Sequence, residues 1–191
     1  MKKVSLFVLF ALLSTSIFAQ TTWTADKAHS QVSFAITHLG ISEVEGLFRD
    51  FEATIVASEE DFSDAKYNVV IDMNSVDTGI EMRDNHLRTP DFFDVEKYPK
   101  MTFESTSSEK VSEGKYKVTG DLTFHGVTKP VTLDVWQRGT IPHPQNGEPV
   151  AGFQITGTVN RSDFNVGAGF PEPALSDEVK FKVDAEFQKQ K

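Results

Sequence analysis

Apolar and polar side chains alternate along most of the chain with a period of two. Val32, Phe34, Ile36 and His38 take one parity, against Ser33, Ala35 and Thr37. Phe51, Ala53, Ile55 and Ala57 alternate with Glu52, Thr54 and Val56. Val69, Ile71 and Met73 follow, then Met101 and Phe103, then Tyr116, Val118, Gly120, Leu122 and Phe124. Val131, Leu133 and Val135 precede Phe153, Ile155, Gly157 and Val159. The cleanest set is Val179, Phe181, Val183, Ala185 and Phe187 against Lys180, Lys182, Asp184 and Glu186. Such alternation marks strands with one buried and one wet face. These sets make eight strands, with a weaker ninth candidate around Trp23. Turn signals at Glu113-Gly114, His125-Gly126 and Asn146-Gly147 fall between strands. Many antiparallel strands on short hairpins imply a sandwich or a barrel, and closure is the solution that leaves no open edge. The pattern therefore predicts an all-β fold, an eight-stranded antiparallel β-barrel.

Two stretches break the period. Ile80, Arg83, Asp84 and Leu87 fall at helical spacing, which predicts a short helix over 78–87 with Asp77 or Thr78 as its cap. Pro90-Asp91-Phe92-Phe93-Asp94 reads as a helical turn beside it, near the barrel mouth. The second break, Arg161 to Asp177, carries Gly167, Gly169, Pro171 and Pro173, and so long a connection marks function or disorder.

A barrel sends one parity of every strand inward, so Phe34, Ile36, Phe51, Ile71, Phe103, Phe124, Leu133, Phe153 and Ile155 are expected to line one lumen. The opposite parity, with Ser33, Glu52, Asp72, Glu104, Asp134 and Gln154, suits water. Met82, Leu87, Phe92 and Phe93 read as lid or plug residues. Eight strands enclose a space that side chains can just fill or that holds one small ligand. The pattern leaves both open: a cavity for an apolar molecule, or phenylalanines packed on one another.

The first nineteen residues stand apart. Lys2 and Lys3, an apolar run from Val4 to Leu13, and a small-residue boundary at Ala19 have the grammar of a cleaved signal peptide. The apolar core is too short for a comfortable span. An exported chain starting at Gln20 is expected, periplasmic or secreted, with no later run long enough to cross a membrane. Residues 20–191 are enough for one domain. Without Lys2 and Lys3, the 19 basic residues fall to 17 against 28 acidic, a net charge of −11. Such a surface repels nucleic acid and anionic headgroups, which argues against nucleic-acid and peripheral membrane binding. The chain has no cysteine, so burial alone must hold the fold, and sixteen phenylalanines supply apolar side chains without polar tips.

Candidate chemistry is sparse. No G-x-S-x-G elbow or free thiol is present, and no carboxylate pair stands apart from the wet strand faces, so no enzyme is expected. The histidines at 29, 38, 86, 125 and 143 show no metal-ligand spacing, so neither a metal nor another cofactor is expected. His38 shares the parity of Phe34 and Ile36 and reads as a buried, hydrogen-bonded rim histidine. His125 reads as a turn residue. Arg83, His86 and Arg88 form a cationic cluster that would meet a phosphate or carboxylate head group; the bland alternative is a solvated helix with Asp84 and Arg88 paired at i, i+4.

A set of short segments goes further. Asp26-Lys27-Ala28-His29-Ser30, Thr37-His38-Leu39-Gly40, Gly46-Leu47-Phe48-Arg49-Asp50-Phe51 and Ser75-Val76-Asp77-Thr78 resemble the YceI-like family. So do Arg83-Asp84-Asn85-His86-Leu87-Arg88, Asp91-Phe92-Phe93-Asp94 with Tyr98-Pro99, the run Gly120 to Pro130, and Arg161-Ser162-Asp163-Phe164. No single piece is specific, but the ordered set runs from about Trp23 to the last strand. The resemblance implies an exported, lipocalin-like barrel that holds a polyisoprenoid, an isoprenoid quinone or another amphiphilic lipid. Its tail would lie among the inward residues with Met82, Phe92 and Phe93, and its head near His38, Arg83, His86 and Arg88. Asn165 to Ala174 departs from the family's pattern, so chain length and head-group preference do not carry over. A monomer or homodimer is expected. The competing reading is an interaction barrel with a filled core that acts through its acidic surface.

Overall fold

The computed structural model describes residues 20–190, and the expected leader over 1–19 lies outside them. The described residues form eleven strand segments. These are β1 (Thr21–Ala25), β2 (Gln31–His38), β3 (Ser42–Phe48), β4 (Phe51–Ala57), β5 (Lys66–Asp72) and β6 (Val76–Asp77). The long hairpins β7 (Lys100–Ser112), β8 (Lys115–Phe124), β9 (Val127–Pro142), β10 (Pro149–Asn160) and β11 (Leu175–Lys189) complete the set, with one helix, α1 (Glu81–Leu87).

The eleven segments build eight staves. β1 and β2 share one stave, bent at the 3-10 turn Lys27–His29; β3 and β4 share the next, broken at Arg49 and Asp50; β5 and β6 share the third, bent at Met73–Ser75. Each stave pairs antiparallel with the next, and β11 returns to pair with β1 through Ala25↔Phe187 and with β2 through Phe34↔Phe181. The barrel is closed, so the ladder hydrogen bonds run round the circle. The strand around Trp23 is thus the lower half of the first stave, not a ninth strand. Ser42–Phe48, absent from the expected strands, is the upper half of the second.

The turns follow local chemistry. His125 and Gly126 have φ of 50° and 76°, the positive pair that a two-residue hairpin between β8 and β9 requires. α1 starts at Glu81, later than expected, because Thr78 and Gly79 are spent on a turn. The Asp77 carboxylate accepts from Gly79 N at 2.9 Å, and Asp84 accepts from Thr78 N at 2.8 Å. Among the described residues no helix is long and apolar enough to cross a membrane.

The two ends of the barrel differ. One end carries the β4–β5, β7–β8 and β9–β10 connections. There Phe62 folds inward from the 58–65 loop with φ of 60°, a left-handed backbone held against its cost by burial of the ring. Phe62 packs 5.2 Å from Trp23 and 5.1 Å from Phe153, edge-on to the latter. Phe187 stands 5.5 Å from Phe153 and Tyr67 6.3 Å from it, so this end is a solid aromatic plug. The other end carries the β2–β3 turn, α1 with its following turns, and the 161–174 connection.

Candidate functional site

An apolar chamber of about 330 Å³ occupies the second end. Its wall includes Phe34, Ile36, Val44, Phe48, Phe93, Phe124, Val179 and Phe181, and its opening is framed by His38, Arg83, His86, Phe170 and Ala174. A narrower extension of about 90 Å³ runs deeper among Val69, Ile71, Phe103, Leu133, Val135 and Ile155. Met101, Val159 and Phe181 border both spaces, which makes them successive levels of one lumen.

The lumen stays open because large side chains lie flat on glycines. A Cβ on inward-facing Gly46 would stand 2.3 Å from Phe34 Cζ, one on Gly120 2.5 Å from Phe103 Cζ, and one on Gly157 2.4 Å from Leu133 Cδ2. No real Cβ contact is that short. Each glycine therefore creates a notch into which a neighbour on the adjacent stave folds back, instead of projecting to the axis. Side chains that point inward yet remain partly accessible, such as Ile36, Val69, Leu133, Ile155 and Phe181, are the mark of the space left behind.

The mouth is built from three pieces. The first is the β2–β3 turn, whose Leu39 N donates to Ala174 O at 3.0 Å and so ties it to the 161–174 connection. The second is that connection, organised by buried Arg161. Its Nε donates to Ser176 O at 2.9 Å, Nη1 to Val166 O at 2.9 Å and Gly167 O at 2.7 Å, and Nη2 to Leu175 O at 3.2 Å and to Phe170 O. The whole guanidinium fork is consumed by backbone carbonyls, which shapes a loop with little regular structure. Asp177 braces it further by accepting from Ser162 N and Oγ at 2.9 and 2.8 Å. The Ser162 hydroxyl is the main reason that its carboxyl titrates below the usual range.

The third piece is α1 and the turns after it. Arg83 lines the chamber half-buried, with Nε on Thr78 Oγ1 and Nη2 on Thr78 O, both at 2.7 Å. No carboxylate among the described residues makes an ion pair with it, which leaves a fixed positive charge at the opening. His86 donates or accepts through Nε2 at 2.9 Å from Asp91 Oδ2, and its ring meets Phe92 at 5.1 Å and Phe170 at 5.7 Å. Phe92 and Phe170 stack at 4.9 Å, closing one side of the mouth.

Of the expected tail residues, Phe34, Ile36, Phe92, Phe93 and Phe124 line the outer chamber, and Ile71, Phe103, Leu133 and Ile155 the deeper extension. Three lie elsewhere. Phe153 belongs to the solid plug, and Phe51 is buried in the core at the break between β3 and β4 without bordering either space. Met82 points away from the lid into solvent, because α1 turns Arg83, His86 and Leu87 toward the chamber instead. Of the expected head-group residues, His38, Arg83 and His86 meet at the opening, His38 being exposed and not buried. Arg88 does not: it donates to Asn74 O, Val76 O and Asn85 Oδ1, each at 2.9 Å, and staples the end of α1 to β6. Its bond to Asn85 also replaces the expected pairing with Asp84, whose carboxylate is taken by Thr78.

Val44, Phe48, Arg161 and Phe170 were not singled out as site residues. The signals for the first two were present, since Val44, Gly46 and Phe48 alternate with Glu43, Glu45 and Leu47. Arg161 gives no such signal, because all its acceptors are backbone atoms.

A closed antiparallel barrel whose apolar lumen opens at one end defines the class of barrels that enclose a cavity, as distinct from those filled by their own side chains. Within that class the chain belongs to the YceI-like domain family, whose profile matches residues 23–187. It is 40% identical over 173 residues to a UPF0312 protein of Staphylococcus aureus, an alignment that covers 87% of this chain and 97% of that one. Among solved structures, BcnA of Burkholderia cenocepacia superimposes with a TM-score of 0.74 at 30% identity, covering 85% of this chain and 98% of BcnA. The YceI protein of Campylobacter jejuni gives 0.73 at 32%, covering 98% and 100%. A polyisoprenoid-binding domain from Saccharophagus degradans, implicated in plant cell wall breakdown, shares the fold at a TM-score of 0.65 and 19% identity, with 88% and 98% covered.

Proposed function

We propose that this protein is an exported, non-enzymatic carrier that holds an amphiphilic lipid, a polyisoprenoid or isoprenoid quinone, with its tail in the lumen. The observation that carries this reading is the lumen itself: two adjoining, almost wholly apolar spaces that open beside Arg83, with which no carboxylate among the described residues pairs. A hydrocarbon tail gains from such a wall, whereas a polar molecule would lose its hydrogen bonds to water. Arg83, with His38 and His86 beside it, suits a carbonyl, phosphate or carboxylate head at the opening. Family membership and the polyisoprenoid-binding relative of the same fold support the ligand class. Residues 1–19 support export, to the periplasm or outside the cell.

Native mass spectrometry of freshly purified protein tests this. An extra mass that organic solvent removes, and that the delipidated protein regains from a polyprenyl probe, is the expected outcome. A chain that carries no such mass and takes up no probe would contradict it.

A further inference from the structure

The large apolar side chains exposed at the lumen end sit on its rim. Ile41 and Leu39, at the β2–β3 turn, are 86% and 53% exposed, and Met82 and Ile80, at the start of α1, are 83% and 53% exposed. Their neighbours His38, Thr78 and Arg83 frame the chamber opening, so both groups stand beside the passage a ligand must use. Apolar groups exposed together around one opening mark an interaction surface.

The rim also departs from the rest of the surface in charge. A quarter of the chain is Asp, Glu, Lys or Arg, yet Thr37 to Ser42 and Phe164 to Pro171, two of the segments that meet at the mouth, contain none. The charges at the mouth sit on the third piece, where Arg83 accompanies Glu81, Asp84 and Asp91, so the acidic excess is interrupted at this face by two uncharged segments. We infer that the rim docks on the surface of a neutral lipid bilayer, with Ile41 and Met82 entering the interface, so that an amphiphile passes between bilayer and lumen without crossing water.

A bilayer is favoured over a second copy of this chain because the apolar groups are carried on two separate projections, a hairpin tip and a helix start, which suits insertion into a fluid phase. Glu81, exposed between Ile80 and Met82, sets the lipid preference: zwitterionic headgroups tolerate it and anionic ones repel it. The outward residues need not be buried for folding, so the rim can be altered without disturbing the lumen.

This inference rests on the lumen being a lipid site, and the experiment separates the two. Wild type and the double variant Ile41→Ser/Met82→Ser are compared in flotation with phosphatidylcholine vesicles and in uptake of a fluorescent polyprenyl probe. The probe is offered either from detergent or from those vesicles. The expected result is a variant with an unchanged unfolding midpoint and wild-type uptake from detergent. Its vesicle partitioning and its rate of uptake from vesicles should each fall at least tenfold. Adding phosphatidylglycerol should weaken wild-type flotation. Normal uptake from detergent by a wild type that never floats, or a variant equal to wild type on vesicles, would overturn rim docking and leave the lipid site standing. Wild type that is dimeric where the variant is monomeric would assign the patch to self-association and overturn it too. Absence of uptake from detergent by wild type would remove the lipid site, and with it the inference.

Discussion

The same barrel is solid at one end and open at the other, although both ends are lined with phenylalanine. At the plug, Phe62 and Phe187 each meet the Phe153 ring edge-on, and Phe62 also packs against Trp23. At the mouth, Phe34 lies over Gly46, and lower in the lumen Phe103 lies over Gly120, so the rings clad the wall. The residue type is shared; what differs is whether the facing stave offers a side chain or a glycine. Burial in the plug supplies stability that the lumen gives up, since an empty apolar wall forfeits the contacts its atoms would otherwise make.

The contrast is broken most severely at the plug. Phe62→Ala should cost about 3–5 kcal/mol, the range for deleting a fully buried phenylalanine, while the folded fraction keeps its affinity for a polyprenyl probe. Denaturant unfolding and probe titration check this; an affinity loss at constant stability would place the ligand among the plug residues. Arg161→Met comes next. It leaves the carbonyls of Val166, Gly167, Phe170 and Leu175 without their donor, at about 2–3 kcal/mol. Amide exchange should rise over 165–176 and stay unchanged in β8 and β9.

Gly46→Ala acts on the open end. Its Cβ would displace the Phe34 ring into the chamber, so uptake should fall at least tenfold for a stability loss of only about 1 kcal/mol. A large stability loss with intact uptake would mean that the ring is not held back by the notch. Arg83→Gln should leave the midpoint within about 0.5 kcal/mol, as expected of a partly exposed side chain. It should erase any preference for a polyprenyl phosphate over the neutral alcohol.

The smallest effect is electrostatic and lies at the stave bend. The Asp26 carboxylate, 2.8 Å from His29 Nδ1, raises the His29 pKa, and that contact also lowers the pKa of Asp26. The histidine's contribution is complete below about pH 6.5 and is lost as pH rises through its raised value. The carboxylate's contribution is present above about pH 3.8 and is lost as pH falls through its lowered value. The pair is therefore worth most between these limits. An NMR titration should find His29 above the usual histidine value, and Asp26→Asn should lower it toward that value, the Glu186 carboxylate still acting to raise it.

The barrel was legible in the sequence because period-two alternation needs no long-range information, and it separated inside from outside at nearly every strand. It could not give height along the axis. Phe153 and Ile155 share a strand and a parity, yet the first meets Phe62 in the plug while the second, one step further along the axis, lines the lumen. The helical period over 78–87 found α1 but not its full rotation, so Met82, expected at the lid, faces water, while Arg83 faces the chamber as expected. Phe62 was invisible because a loop residue with positive φ follows no pattern. Arg88 and Arg161 looked like ligand-binding or loop residues because nothing in a sequence marks a carbonyl as the partner.

The central claim is that a hydrocarbon tail enters at the mouth and ends beneath the outer chamber, above the plug. A polyprenyl analogue with a diazirine at its distal end, loaded and photolysed, tests it directly by mapping the labelled peptides. The account predicts labels on the deep lumen wall, at Phe103, Leu133 or Ile155. Labels confined to the outer faces of the staves, or on Phe153 and Phe187 in the plug, would contradict it.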